Sequence, residues 1–412
     1  MRILYLTQWF EPEPNIIKGI GFVRALQADG HEVTVVTGFP NYPEGRIYPG
    51  YRVRLVSVEI LDGVRVVRLP LYPSHDASSF RRSLNFLSFF LSALIYMLGR
   101  RRQFDVAYVY HPPITVGLAA ALAGVLRPLP FVLDVQDLWP DTIPATGMVG
   151  DGRLVRLLGA LCRFVYARAS AIIAQSEGMR ARLIERGVSP DKLTTVRNWA
   201  STDYTAPSQH PDCAAHPRFT IVYGGNLGRA QGLETVIDAG ALIGHREDIE
   251  VLLYGDGLEE TALRERAASA DAGRIRFMGR ASASAMQGIF ARADALLLHL
   301  RDDPLFAITI PSKTQAYLAM GRPVVAGVDG EVASLLRASG AAIVVPPGKA
   351  TLLAEAIMKL ADLPLGQRTA MGEAGTRFYH ETLSFEHAMV RTIGVLSGIH
   401  PKGHPGNEAA RS

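Results

Sequence analysis

Short runs of Val, Ile and Leu with no polar alternation recur along the chain, and stretches with helical spacing separate most of them. Such runs suit strands buried on both faces of a parallel sheet. In the first half they predict strands at 3–6, 32–37, 53–60, 64–69, 106–110, 131–135, 171–174 and 194–196. Helices are expected near 19–28, 83–102, 115–126, 153–167 and 177–186. Asp62-Gly63 between two β-rich runs is a hairpin signal, so one antiparallel excursion is expected. Residues 201–217 are polar, Pro-containing and aperiodic, which reads as a linker. The alternation then restarts, with strands at 219–223, 250–254, 275–278, 295–299, 323–326 and 342–345. The pattern predicts an α/β protein of two Rossmann-like parallel-sheet domains, 1–200 and 218–380, facing one cleft. A closing helical stretch, 381–400, is expected to cross back to the first domain, and a polar tail, 401–412, to be disordered.

Composition narrows the function classes. A chain of 412 residues with 48% hydrophobic and 20% charged positions can bury large cores. Cys162 and Cys213 are too few for a disulfide framework or a four-cysteine zinc site. A net charge of +4 is too weak to imply nucleic acid. The acidic, Pro-rich 11–14 segment follows the first strand directly where a secretory signal would continue apolar, so a cytoplasmic protein is expected. The uncharged stretch 83–99 lies between Arg81-Arg82 and Arg100-Arg101-Arg102. It is short of the ~20 residues of a bilayer span, leaving a core helix or a helix at a membrane surface.

Candidate chemistry gathers after strands. Tyr223-Gly-Gly-Asn-Leu-Gly-Arg-Ala-Gln-Gly-Leu233 follows a strand and opens a helix. Glycines let a backbone approach a ligand, and helix N–H groups attract a phosphate. Gly225, Asn226 and Gln231 are donor-site candidates here, with Arg229 as an added charge. The spacing is not that of the dinucleotide fingerprint. Gly255 and Gly257 flank Asp256 after the next strand, a pattern that a plain turn also explains. Pro311 and Ser312 open a further helix, and Ser312 with Gln315 has capping-box spacing. Lys313 in the first turn opposes the helix dipole, which suggests a bound anion. In the first half, His111 ends a strand, Asp137 and Trp139 follow the next one, and Lys18 precedes a helix at the expected cleft edge. No two aspartates stand two apart, and there is no Walker A sequence and no H-E-x-x-H. No metal or other cofactor is therefore expected.

Taken together, TQWFEPEP, TGFPNYPEGRIYPGY, DVQDLWPDT, GGNLGRAQGLETV and IPSKTQAYLAMGRPVV resemble GT-B-fold glycosyltransferases of family 4 over nearly the whole chain. The resemblance is nearest to the N-acetyl-L-fucosamine transferase branch of bacterial surface polysaccharide assembly. It implies retaining, metal-independent transfer from a nucleotide sugar, usually UDP-linked, to a lipid-diphosphate-linked sugar at the inner membrane face. By position it gives His111 to the reacting centre, and Arg229 and Lys313 to the leaving diphosphate. The E-x7-E carboxylates of the family fall on Ile308 and Ala316 and are missing. A ribose contact then comes from Gln315, a backbone group or Glu331. The common Arg and Lys of the Gly-rich loop correspond to Asn226 and Gln231. A nucleotide-sugar epimerase and a non-catalytic nucleotide-sugar-binding subunit are the alternatives.

Overall fold

The computed structural model describes residues 1–14, 17–74, 79–126, 128–141, 152–201, 204 and 218–399. Most of the expected linker, Cys213 and the tail 401–412 lie outside these residues. The first sheet holds β1 (Arg2–Leu6), β2 (Glu32–Gly38), β3 (Ser57–Leu61), β4 (Val64–Leu69), β5 (Val106–His111), β6 (Phe131–Val135), β7 (Ala171–Ala174) and β8 (Leu193–Thr195). Their order is β3-β4-β2-β1-β5-β6-β7-β8, parallel except for the β3–β4 hairpin. Asp62 and Gly63 both take positive φ, 46° and 82°, at that hairpin, as a tight two-residue turn demands. The strand expected from residue 53 starts only at Ser57. Val53, Leu55 and Val56 are exposed, so no sheet face holds them.

The second sheet holds β9 (Phe219–Gly224), β10 (Ile249–Tyr254), β11 (Ile275–Gly279), β12 (Ala295–His299), β13 (Val324–Gly327) and β14 (Ala342–Val345). Their order is β11-β10-β9-β12-β13-β14, with parallel pairing throughout. In each sheet the order reverses beside the first strand, at β1/β5 and at β9/β12. Such reversals open a crevice at the carboxyl ends of the strands. The cores follow the strand faces: Leu4, Leu6, Val109 and Leu133 on one side of the first sheet, Ile3, Tyr5, Tyr108 and Val132 on the other.

The last helix, Phe385–Ile399, packs on the first domain. Its Ala388, Met389 and Leu396 share a core with Ile3 and Phe22, and Phe385 meets Trp199 edge-on at 5.0 Å.

The uncharged stretch forms one helix, Ser79–Arg100, of 22 residues. Phe89, Ala93 and Met97, four apart, are buried against the first sheet. The opposite ridge, Phe80, Leu87, Leu91 and Ile95, is exposed. Among the described residues this is the one helix long and apolar enough to cross a membrane, yet one of its faces is already core.

Candidate active site

Of the donor-side candidates, Gly225, Asn226, Gln231, Gly255 and Gly257 lie after the carboxyl ends of β9 and β10. Gly225 (φ 145°) and Gly255 (φ 139°) cross backbone to backbone, and a Cβ on Gly255 would fall 1.8 Å from the Gly225 carbonyl oxygen. Gly225 N also donates to Tyr254 O at 2.9 Å, and Leu227 N to Asp256 O at 2.7 Å. Gly257 packs against Asn226 and Leu227 in the same way. The Gly-Asp-Gly turn is thus the seat of the Gly-rich loop. The glycines are needed there by loop-on-loop contact, whatever ligand lies above.

Lys313 projects from the helix Ser312–Ala319 into this seat. Its Nζ donates to Gln231 Oε1 at 3.3 Å and lies 4.9 Å from the Tyr223 ring centre. A Cβ at Gly225 would stand 2.4 Å from Lys313 Cε, so the glycine makes room for the lysine. Burial pushes the Lys313 ammonium down to about 8. Among the described residues no carboxylate opposes that shift, so a half-buried cation waits beside a loop of backbone amides. Gln231 occupies the place where the resemblance expects a lysine, and Lys313 supplies a positive charge within hydrogen-bond reach of it.

Other expectations meet different partners. Arg229 is 64% exposed and bonds Glu259 Oε1 at 3.0 Å, so its charge is directed to the rim. The capping box does not form: Pro311 is the N-cap residue, without a side-chain bond, and Ser312 lies exposed in the first turn. The buried Gln315 amide, in the orientation that satisfies it, donates to Pro311 O at 2.8 Å and Ser312 O at 3.2 Å. It turns back on its own helix. Glu331 reaches the other domain, accepting from Gly178 N at 2.8 Å and Arg197 at 3.0 Å. Ser176 Oγ donates to Ile308 O nearby, at 2.5 Å. Glu331 and Ile308 therefore hold the two domains together at the base of the crevice.

On the first domain, His111 ends β5 and is fully buried, and among the described residues neither ring nitrogen has a partner. Burial lowers it to about 4, so the imidazole is neutral at ordinary pH. Lys18 departs from its expected place at the cleft edge. It is fully buried and ion-paired with Asp134, because the aromatic box of Phe22, Tyr110 and Trp199 encloses its ammonium. Asp134 also accepts from Tyr108 (2.5 Å), Gln136 (2.7 Å) and Gln175 (2.9 Å). Asp134, which opens the DVQDLWPDT segment, stands in a buried strand and is spent on Lys18 rather than on the crevice. Asp137 is half-buried, and burial raises its carboxyl. Trp139 packs against the first core, its Nε1 unpartnered. Among the described residues no three His, Cys, Asp or Glu side chains gather as a metal site.

The two halves match separate family models. Residues 21–199 match a glycosyl transferase 4-like domain, and residues 218–362 match glycosyl transferases group 1. The chain carries two glycosyltransferase domains on a GT-B fold. This glycosyltransferase is 26% identical over 420 residues to the putative colanic acid biosynthesis glycosyl transferase WcaI of Escherichia coli K12, covering 97% of this chain and 100% of that one. Its fold is that of sucrose-phosphate synthase from Thermosynechococcus elongatus, with a TM-score of 0.72 and 16% identity over 97% of this chain and 98% of that chain. Anabaena Alr3699/HepE in complex with UDP gives a TM-score of 0.69 and 15% identity over 97% of this chain and 100% of that chain.

Proposed function

We propose that the enzyme moves a sugar, of the N-acetylated deoxysugar kind, from a UDP-linked donor to a lipid-diphosphate-linked acceptor in surface polysaccharide assembly, with retention at the anomeric carbon. The observation that carries this reading is Lys313, a desolvated ammonium with no carboxylate partner among the described residues, beside the glycine loop at the β9/β12 crevice. As the sugar–phosphate bond lengthens, negative charge grows on the diphosphate oxygens. Lys313 and the loop amides stabilise that charge in a partly dry site. The acceptor hydroxyl attacks from the leaving-group face and passes its proton to a leaving phosphate oxygen. Neutral His111 positions donor and acceptor across the crevice. The reading needs no metal, since the cation is supplied by the chain. The relative's name, colanic acid biosynthesis, favours the polysaccharide setting.

A screen of nucleotide sugars against lipid-diphosphate sugars, read by mass spectrometry, tests the reading. Product is expected only with donor and acceptor together. Conversion of the donor's sugar without any acceptor would instead make the protein an epimerase.

Donor affinity should depend on pH with a defined sign. Below about pH 8 the Lys313 ammonium is already present, so UDP binding takes up no proton. Above it the free enzyme loses that proton first, and binding must restore it. Affinity for UDP should fall as pH rises from about 8, approaching tenfold per unit. Calorimetric titration between neutrality and pH 9.5 measures this; a flat profile removes Lys313 from the anion site.

The acceptor implies a membrane surface. The helices Ser79–Arg100, Ile114–Leu126 and Gly152–Arg168 contain no Asp or Glu and seven arginines, two at the start and one at the end of the first helix and four along the third. The exposed ridge Phe80, Leu87, Leu91 and Ile95 stands on the first of them. Basic residues near anionic lipid contribute about 1 kcal/mol each. The protein should float with phosphatidylglycerol vesicles, and a variant with Leu87, Leu91 and Ile95 all changed to Asp should remain below. Equal recovery of both proteins from the lipid-free fraction would remove the membrane from the reading.

A further inference from the structure

Two histidines occupy topologically equivalent places in the two domains. His111 ends β5 and His299 ends β12, each strand being the neighbour of its sheet's first strand where the order reverses. His299 is 1% exposed. Its Nδ1 lies 2.8 Å from Gln231 O, and since a carbonyl only accepts, Nδ1 carries the proton. Nε2 is then a bare lone pair, and it has no partner among the described residues. Burial holds the ring below its ordinary pKa, which favours this neutral form.

The surroundings leave one edge of the ring without side-chain partners. Gly232 and Gly327 lie against the ring. A Cβ at Gly232 would stand 3.2 Å from Cε1, and one at Gly327 would stand 2.3 Å from Cδ2 and 2.8 Å from Nε2. The Nε2 edge therefore meets glycine backbone at the end of β13, at the same strand ends that carry the Gly-rich loop. The imidazole is also coupled to that loop. Gln231 is pinned by Nδ1 through its carbonyl, and Arg301 N donates to Ala230 O at 3.0 Å, so the residues following β12 hold the turn that presents Gln231 to Lys313.

We propose that His299 Nε2 accepts a hydrogen bond from a hydroxyl of the bound nucleotide sugar. A neutral imidazole with its proton on Nδ1 can take a donor at Nε2 and not a phosphate oxygen, and beside a loop that holds the diphosphate the nearest donors of a nucleotide sugar are the hydroxyls of the ribose and of the transferred sugar. The inference rests on the nucleotide-sugar reading above. It adds an orienting acceptor to a site otherwise made of donors: amides and an ammonium.

His299→Asn tests it. The asparagine amide can keep the bond to Gln231 O, while nothing replaces Nε2. Wild type and variant are titrated calorimetrically with UDP, UDP-glucose and UDP-N-acetylglucosamine, and thermal midpoints are compared to show that the loop remains pinned. About tenfold weaker binding is expected, the loss of one buried hydrogen bond. Loss with UDP itself places the hydroxyl on the ribose, and loss confined to the sugar nucleotides places it on the sugar. Unchanged affinity for every probe overturns the inference and leaves the transferase reading intact. Wild-type protein that binds none of the three overturns that reading, and the inference with it. Should His299→Asn not fold, His299→Gln, which sets a carbonyl near the Nε2 position, is compared with His299→Leu. Wild-type binding by the first and tenfold weaker binding by the second support the hydroxyl contact; equal binding by both removes it.

Discussion

Lys313→Ala should lower turnover about a hundredfold, the scale seen when one pre-placed charge-stabilising donor is removed from a reacting centre. The expectation follows from three features together. The ammonium is half-buried, it meets a neutral amide and an aromatic ring, and Gly225 has no side chain where the lysine stem passes. A lysine on the open surface would lose little on truncation, because water screens it. Here the site has already met part of the desolvation cost, and that cost is recovered only when negative charge arrives. The loss should fall mainly on kcat, since the diphosphate is most negative as it departs. Lys313→Arg should recover part of it, limited by the larger guanidinium and the narrow gap at Gly225. Steady-state kinetics on purified protein decide the matter, and wild-type turnover by the alanine variant would discard the role. Arg229→Ala makes the contrast: a rim arginine already paired with Glu259 should change turnover much less.

The second large effect concerns stability. Asp134→Ala should destabilise the first domain by about 3–5 kcal/mol, the range for breaking a buried ion pair from one side. Both side chains are 0% exposed, and the carboxylate also accepts from Tyr108, Gln136 and Gln175. Removing it strands an ammonium in an aromatic box, along with three polar groups. The double change Lys18→Met with Asp134→Leu should recover much of the loss, because no charge then remains to be desolvated. Chemical denaturation followed by fluorescence, with Trp199 5.8 Å from the Lys18 ammonium as a local reporter, reads both. A single variant within 1 kcal/mol of wild type would show that water reaches the pair.

The elements were largely legible because their causes are local. Uninterrupted runs such as Ile3–Leu6 and Ala295–His299 have few solutions other than strands covered on both faces. Asp62-Gly63 can take the positive φ values of a tight hairpin, which few other pairs do cheaply. The Gly-rich loop and Lys313 stood out for similar reasons, one as a backbone that can approach a ligand, the other as a charge set against a helix dipole.

Side-chain partnerships were not legible, because they join residues distant along the chain. Nothing around Lys18 announces Asp134, since strand order brings β6 and the segment before the first helix together. Arg229 looked like a free cation until Glu259, thirty residues on, took it to the rim. Glu331 looked like a ribose contact, and packing of the domains turned it to Gly178 and Arg197. His299 carried no signal in a run of apolar residues until Gly232, Gln231 and Gly327 closed around it. By itself, then, the sequence determined nearly all of the strands and helices, that there are two largely parallel sheets, and where glycines must lie, because periodicity and backbone sterics act over a few residues. Only the tertiary structure decided which charges are spent on one another and which remain for a ligand, because that depends on distance and burial in space.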